Sequence, residues 1–255
     1  MNIPTRQRQE AILNRIHESG FVRARDLAAA LDVSEATARR DLKRLAGVAS
    51  VQLVHGGATL LRPHDLSFRT KLTRNLDAKK VIGRLAAGLV SDGDTIFLDS
   101  GTTCFQMVPF LRGKKSITII VNSARLALEL DAPGLSTIII GGQYRPARMD
   151  TTGPLAAAAI GELRGYLAFI GADGLSRETG LMAGDIESAT LYRLAGTNAR
   201  RVVLVADHSK FETPSLYKIT DFDRVETIVT DAPPPAEWAG FFAARGITLV
   251  TPPNP

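Results

Sequence analysis

Up to about Leu61, apolar positions recur at helical spacing. Ile12 and Ile16 share one face of a segment that includes Ala11, Arg15 and Ser19, and Gly20 fits its C-cap. Leu27, Ala28 and Leu31 point inward from a second, shorter helix over Arg25–Leu31, with Asp32 and Val33 as a tight connection. Ser34 suits the N-cap of a third helix, and Glu35 puts negative charge in its first turn. That helix runs to about Ala46, with Ala38, Leu42 and Leu45 inward and Thr37, Arg39, Arg40, Lys43 and Arg44 outward. A hairpin follows: Val48–Val54, the tip His55-Gly56-Gly57, then Ala58–Leu61.

After Ser91 the rhythm becomes an alternation of strands and helices. Continuous apolar or β-branched runs at Thr95–Asp99, Ile117–Val121, Thr137–Gly141, Leu167–Gly171, Val202–Ala206, Glu226–Thr230 and Ile247–Thr251 predict strands covered on both faces. Helices fit between most of them, at Thr103–Arg112, Ser123–Leu130, Pro154–Arg164, Glu187–Asn198 and Pro235–Arg245. The pattern is an α/β layer fold around a mainly parallel sheet. Pro233-Pro234-Pro235 is a rigid entry to the last helix, and the tail from Pro252 is expected to fray. Basic residues thicken between Arg62 and Arg84, as a linker and then an amphipathic helix over Leu76–Val90 whose charged face reads as solvated. The predicted organisation is a helix-and-hairpin domain over 1–61, a linker over 62–75 and a larger α/β domain over 76–255.

The chain has 255 residues, 45% hydrophobic and 22% charged, an ordinary globular mixture that excludes a largely disordered chain. Its apolar runs are strand-sized, too short to cross a bilayer, and the first residues lack the apolar core of a secretory signal. Cys104 is the one cysteine, so neither an internal disulfide nor a cysteine-based zinc site is available. This agrees with a reducing cytoplasm, the expected location. The four histidines, His17, His55, His64 and His208, lack metal-site spacing, so no metal or cofactor is expected. A net charge of +5 permits a nucleic-acid partner, and its distribution decides the matter.

Three short helices, the third of them basic, and a β-hairpin make a winged helix-turn-helix pattern. A recognition helix needs an apolar face to seat it and a cationic face for the major groove. Ala38, Leu42 and Leu45 supply the first, and Arg39, Arg40 and Lys43 the second. Ser34 and Thr37 stand at the helix start, where hydroxyls and free N–H groups hold phosphate, and Arg39 or Arg40 suits bidentate reading of guanine. His55 and Gly56 form the wing tip. The plainer alternative is a solvated helix whose arginines pair with Asp41 and Glu35 at the surface; the preceding short helix and tight turn favour DNA.

In the second half the sharpest motif is Asp99-Ser100-Gly101-Thr102-Thr103, after a strong strand and opening a helix. Hydroxyls, a glycine and helix-start N–H groups there suit a phosphate, and Asp99 suits sugar hydroxyls. No lysine follows the glycine as in a Walker loop, and Leu98 stands where a nucleophile elbow needs glycine. Asn122-Ser123, Gly141-Gly142, Gly171-Ala172-Asp173-Gly174 and Asp207-His208-Ser209-Lys210 also follow strands, so a parallel sheet brings them to one rim. Asp207-His208-Ser209 is no triad, because adjacent side chains diverge. Cys104 reads as a buried, inert thiol.

The run Leu27-Ala28-Ala29-Ala30-Leu31-Asp32-Val33-Ser34-Glu35-Ala36-Thr37-Ala38-Arg39-Arg40-Asp41-Leu42, with Val54-His55-Gly56-Gly57-Ala58, resembles the N-terminal signature of the DeoR family of bacterial transcriptional repressors. Asp99–Thr103, Asn122-Ser123, the Gly-Gly-x-x-Arg ending at Arg145, Gly171–Gly174 and Ala206-Asp207-x-Ser209-Lys210-Phe211 resemble its sensor domain, so the likeness spans about Arg6 to Val250. It implies a sensor fold similar to ribose-5-phosphate isomerases and coenzyme A transferases, and a phosphorylated sugar or related metabolite as effector. Carried over residue by residue, the effector candidates are Asp99, Ser100, Gly101, Thr102, Thr103, Asn122, Asp173 and Lys210. The chain departs from the family at Ala38, usually a larger aliphatic residue, and at Val51-Gln52-Leu53, which lacks a frequent arginine. Ser188 and Tyr192 stand where the family commonly has glutamate and lysine.

The expectation is a DNA-binding regulator, a repressor of a carbohydrate or related catabolic operon, with operator DNA and a small-molecule effector as partners and no membrane. Helix-turn-helix proteins bind paired half-sites, so a homo-oligomer, dimer or tetramer, is expected. The alternative is a sugar-phosphate isomerase-like enzyme fused to a DNA-binding domain. It ranks below the sensor, because a pocket that only shifts an equilibrium needs no tuned base.

Overall fold

The computed structural model describes residues 4–19, 21–48, 51–60, 68–211 and 213–253. The chain divides into two compact units, Met1–Arg74 and Asn75–Pro255. The C-cap expected at Gly20 and the first part of the linker, 62–67, lie outside the described residues.

The first unit runs α1 (Thr5–Ser19), β1 (Phe21–Arg23), α2 (Ala24–Leu31), α3 (Glu35–Val48), β2 (Val51–Val54), β3 (Gly57–Leu60) and α4 (Phe68–Thr73). Asp32 ends α2 in the left-handed conformation at φ 51°, and Val33 N–H returns to Ala28 C=O at 3.0 Å, which makes the tight turn into α3. Ile12, Ile16, Leu27, Leu31, Ala38, Leu42 and Leu45, the inward positions read from the spacing, form one core with Val51 and Ala58 of the hairpin. The hairpin has a third strand that the sequence pattern did not show. β1 pairs antiparallel with β3, giving the order β1-β3-β2. Three residues are too few to display an alternation.

The second unit is built on β4 (Thr95–Leu98), β5 (Ile117–Val121), β6 (Leu135–Ile139), β7 (Gln143–Arg145), β8 (Asp150–Thr152), β9 (Leu167–Gly171), β10 (Gly174–Ser176), β11 (Gly180–Ala183), β12 (Arg201–Val205), β13 (Tyr217–Thr220), β14 (Thr227–Val229) and β15 (Thr248–Val250). Its helices are α5 (Leu76–Gly88), α6 (Thr102–Phe105), α7 (Val108–Leu111), α8 (Ala124–Glu129), α9 (Gly153–Gly161), α10 (Ile186–Asn198) and α11 (Ala236–Ala243). The seven strands expected from the sequence form one sheet in the order β15-β14-β12-β9-β4-β5-β6, every neighbouring pair parallel.

Alternation along each strand feeds a core on either face. Ile96 and Leu98 pack with Ile82, Ala86, Met107, Leu111 and Phe169 on one side, while Phe97 packs with Ile160, Tyr166, Ala168 and Leu204 on the other. Two expectations change. The helix over Thr103–Arg112 is broken into α6 and α7, and Pro109 in the first turn of α7 has no N–H with which to continue the earlier helix. β6 is not covered on both faces: it is the sheet's edge, and Ser136–Ile139 are exposed.

From β4 the chain moves outward through β5 and β6, then crosses back to β9 and outward through β12, β14 and β15. β4 and β9 are therefore neighbours whose onward connections run in opposite directions. The carboxyl end of that pair is the crevice where open α/β sheets take ligands.

Candidate functional site

In the first unit, α3 separates two faces. Ala38, Leu42 and Leu45 are buried, and Arg39, Arg40, Lys43 and Arg44 are exposed. Ser34 Oγ accepts from Thr37 N–H at 3.1 Å, and the Ser34 and Thr37 hydroxyls lie 2.8 Å apart at the helix entry. Arg39 Nη2 meets Glu35 Oε1 at 2.6 Å on the exposed surface, a pair weak enough to yield to a phosphate or a base.

Asp41 behaves differently from the surface partner that its sequence position suggests. It is buried, and its carboxylate accepts from Arg8 Nε of α1 at 2.6 Å and from Gln9 Nε2 at 3.4 Å. One face of the Arg39-Arg40-Asp41 run thus presents cations while its acid ties the helix to the core.

At the wing tip His55 is exposed, Gly56 has φ +78° and its carbonyl accepts from Ala24 N–H at 3.0 Å. A Cβ on Gly57 would lie 1.9 Å from Val22 C=O, so only glycine allows β1 and β3 to approach this closely.

In the second unit, the crevice between β4 and β9 is held by Asp99. Its Oδ1 accepts from Gly101 N–H at 2.7 Å and its Oδ2 from Gly171 N–H at 2.5 Å, joining the two strand ends. The residue is buried, and burial raises its carboxyl above the usual range against the pull of those two N–H groups. Asp99 therefore holds the loop, where the sequence suggested direct contact with a sugar. A Cβ on Gly101 would stand 2.7 Å from Asp99 Oδ1, which explains the glycine. Cys104 is buried, its Sγ 3.5 Å from Phe169 C=O, and burial pushes the thiol up, as suits an inert cysteine.

Ser100, Gly101, Thr102 and Thr103 stand at the end of β4, Asn122 at the end of β5, Asp173 after β9 and Lys210 after β12. These four strands are consecutive in the sheet, so the structure gathers the expected residues on one rim. Asp173 Oδ2 accepts from Gly184 N–H at 2.8 Å. Beside Lys210, Asp207 Oδ1 accepts from Asn75 Nδ2 at 3.0 Å and from Ser209 N–H at 3.1 Å. Burial works to raise Asp207, but Lys210, Ser209, Asn75 and Lys79 outweigh it and hold the carboxyl below its ordinary value. Lys79 is itself buried, so the face of α5 expected to be solvated places one cation inside.

A part-buried ionic network beside this loop, centred on buried Asp150, was missed from the sequence. Arg145 donates to both oxygens of Asp150 at 2.8 Å each, to Asp185 at 2.8 Å and to Ser188 Oγ at 2.9 Å. Arg148 also pairs with Asp185. Asp150 is fully buried and accepts from Ser100 Oγ at 2.8 Å. The Tyr192 hydroxyl lies 2.7 Å from the same Ser100 Oγ. The β7–β8 hairpin, the start of α10 and the β4 loop are thereby locked together. The sequence signals were the charge density of Arg145-Pro146-Ala147-Arg148-Met149-Asp150 and the motif positions Arg145, Ser188 and Tyr192, none of which showed that these residues meet.

A model of the DeoR-like helix-turn-helix domain matches residues 8–64, and one of the DeoR C terminal sensor domain matches residues 74–232. The HTH-type transcriptional regulator GolR of Listeria innocua is 31% identical over 228 residues, covering 88% of this chain and 90% of that protein. The lactose phosphotransferase system repressor of Lactococcus lactis is 32% identical over 232 residues, covering 89% and 91%. The HTH-type transcriptional repressor CsqR of Escherichia coli is 29% identical over 247 residues, covering 96% and 95%. Among solved structures, ribose 5-phosphate isomerase A of Methanocaldococcus jannaschii aligns with a TM-score of 0.37 and 24% identity, covering 53% of this chain and 54% of that one. With both domain models matched in order and regulators aligned along most of its length, the chain belongs to the DeoR family of transcriptional regulators.

Proposed function

We propose that this regulator represses a carbohydrate or related catabolic operon and that a phosphorylated sugar or similar metabolite alters its hold on the operator. The exposed cationic face of α3, set opposite its apolar face, carries the DNA half of the reading. Arg39, Arg40 and Lys43 reach into the major groove, Ser34 and Thr37 contact phosphate at the helix entry, and His55 and Gly56 meet the backbone from the wing. The effector sits on the rim of the second unit, over the β4–β9 crevice, between Ser100–Thr103, Asn122, Asp173 and Lys210, with Asp99 fixing the loop. Its influence on DNA is a reciprocal coupling of two binding free energies and needs no turnover. The working protein is a cytoplasmic homo-oligomer, a dimer or tetramer, matched to paired half-sites.

Selection of binding duplexes from a random pool, followed by affinity measurements with and without sugar phosphates, tests both halves. An enriched operator whose affinity no phosphorylated metabolite changes would remove the effector half. Conversion of any of those sugar phosphates into product would favour the isomerase-like enzyme instead.

A further inference from the structure

We propose that the open edge of β6 is the contact between two copies of this chain: the β6 strands pair antiparallel about a two-fold axis and join two seven-stranded sheets into one. This rests on the reading of the working protein as a homo-oligomer and gives that oligomer its surface.

Parallel strands are ordinarily covered on both faces. The two edges of this sheet differ in that respect. At β15, Leu249 and Val250 are half-buried, one against each core. At β6, Ser136, Thr137, Ile138 and Ile139 are all exposed. Ile138 lies alongside Ile120 and Ile139 alongside Val121, and those two neighbours belong to the cores on opposite faces. So Ile138, 41% exposed, and Ile139, 51%, leave both cores open at one edge. The helices on either face extend the apolar rim. α8 gives Leu126 to one core, α9 gives Ala156 and Ile160 to the other, and each carries a leucine 74% exposed, Leu128 and Leu155.

The backbone is open too. Ile140 N–H donates to Val121 C=O at 2.7 Å, so by the alternation of a strand Ile138 also turns its N–H and C=O towards β5. Thr137 and Ile139 turn theirs outward, where among the described residues no strand meets them. Edges that stay single are guarded by charge, proline or a bulge. The run Leu135-Ser136-Thr137-Ile138-Ile139-Ile140 has no charge and no proline, and its register with β5 is unbroken.

Such an edge is its own complement. With Ile138 on the axis, Thr137 of each copy faces Ile139 of the other, so every outward N–H and C=O of these two residues finds a partner. Ile138 then stands opposite its own counterpart in a non-hydrogen-bonded pair, about 4.5 Å apart at Cα. An axis normal to the sheet joins like faces, so each copy closes both open cores of the other. The contact is isologous and closes at two, which supplies the paired DNA-binding units that half-sites require.

Sedimentation velocity on the full chain measures the assembly. Ile139→Lys charges a side chain already half-exposed and should halve the mass of the wild-type assembly while leaving the circular dichroism unchanged. Oxidative cross-linking reads the register without relying on that variant. Ile138→Cys should form a disulfide-linked dimer, because about 4.5 Å lies within the Cα span of a disulfide. Ser136→Cys, also exposed and on the same face, stands about 14 Å from its own counterpart and should not cross-link. Nor should wild type, whose Cys104 is buried. A monomeric wild type overturns this proposal together with the homo-oligomer. An assembly whose mass a folded Ile139→Lys leaves unchanged, or an Ile138→Cys protein that cross-links no more than Ser136→Cys, overturns the surface alone and puts the oligomer's contact elsewhere.

Discussion

Asp41 and Arg8 meet inside the first unit, carboxylate to guanidinium Nε at 2.6 Å, with Asp41 1% exposed and Arg8 8%. The pair crosses from α3 to α1, so the helix that presents the cationic face is fastened from behind by an ion pair. Removing one partner of a buried pair strands the other charge. Asp41→Ala should therefore destabilise the first unit by about 3–5 kcal/mol. Urea denaturation of the full chain, followed by probes in each unit, checks this: an early transition confined to the first unit is expected, and an unchanged midpoint would show the pair to be idle.

Arg40 and Lys43 separate two kinds of DNA contact. Arg40→Ala should cost about 1–3 kcal/mol and relax the operator preference at one position. Lys43→Ala should weaken binding evenly across sequences and lower the salt slope by about 1. Neither should change the midpoint shift caused by a sugar phosphate. Fluorescence anisotropy over a salt series, with matched and mismatched duplexes, reads both. Wild-type affinity in Arg40→Ala would take that arginine out of the interface.

Asp99 makes a sharper case than a ligand contact would. Asp99→Ala leaves two half-buried N–H groups, on Gly101 and Gly171, without their acceptor, at about 1 kcal/mol each. The crevice should open and effector binding should fail, while operator affinity without effector stays near that of wild type. A normal metabolite response in that variant would place the site elsewhere.

Asp185 gives the second unit a pH dependence. Burial opposes its ionisation, but Arg148, the Ser188 N–H and Arg145 outweigh burial and bring its pKa from 3.8 to about 2. A depressed pKa stabilises the fold above the unfolded value and loses that contribution as pH falls through the folded one. The loss lies between about pH 4 and pH 2 and amounts to about 2 kcal/mol. Asp185→Asn should lose that stability at neutral pH and flatten the acid limb of the midpoint curve. An unchanged limb would mean that other carboxylates set it.

His208 titrates in the opposite sense. Its Nδ1 lies 2.7 Å from Asp231 Oδ2, and that bond raises its pKa above 6.5. What it adds to stability is present below 6.5 and fades as pH rises through the raised value. Proton NMR on the imidazole should show the raised midpoint and its return towards 6.5 in Asp231→Asn.

What the sequence made legible follows from how each feature is encoded. The seven parallel strands were readable because runs such as Ile117-Thr118-Ile119-Ile120-Val121 carry their apolar signal within themselves. Their ends shifted by a residue or two, and their order revealed the crevice only once the crossover to β9 was seen. β7 and β8 were not readable. Gln143-Tyr144-Arg145 becomes a strand through pairing with Asp150-Thr151-Thr152, and nothing in three polar residues announces it. The buried charges were hidden for a related reason. Asp41, Asp150 and Lys79 look like surface residues until the partners that neutralise them, far along the chain or across a turn, are in place.

The three-residue strand β1 has a consequence for how the wing is aimed. Val22 and Arg23 pair with Ala58 and Gly57, and Ala24 N–H holds the carbonyl of Gly56. The tip is thus braced by the short stretch of chain between the first two helices and is no free flap. Inserting a single residue into that stretch would invert the pleat against β3 and swing His55 to a new bearing, redirecting the protein along the duplex without altering one residue of the recognition helix.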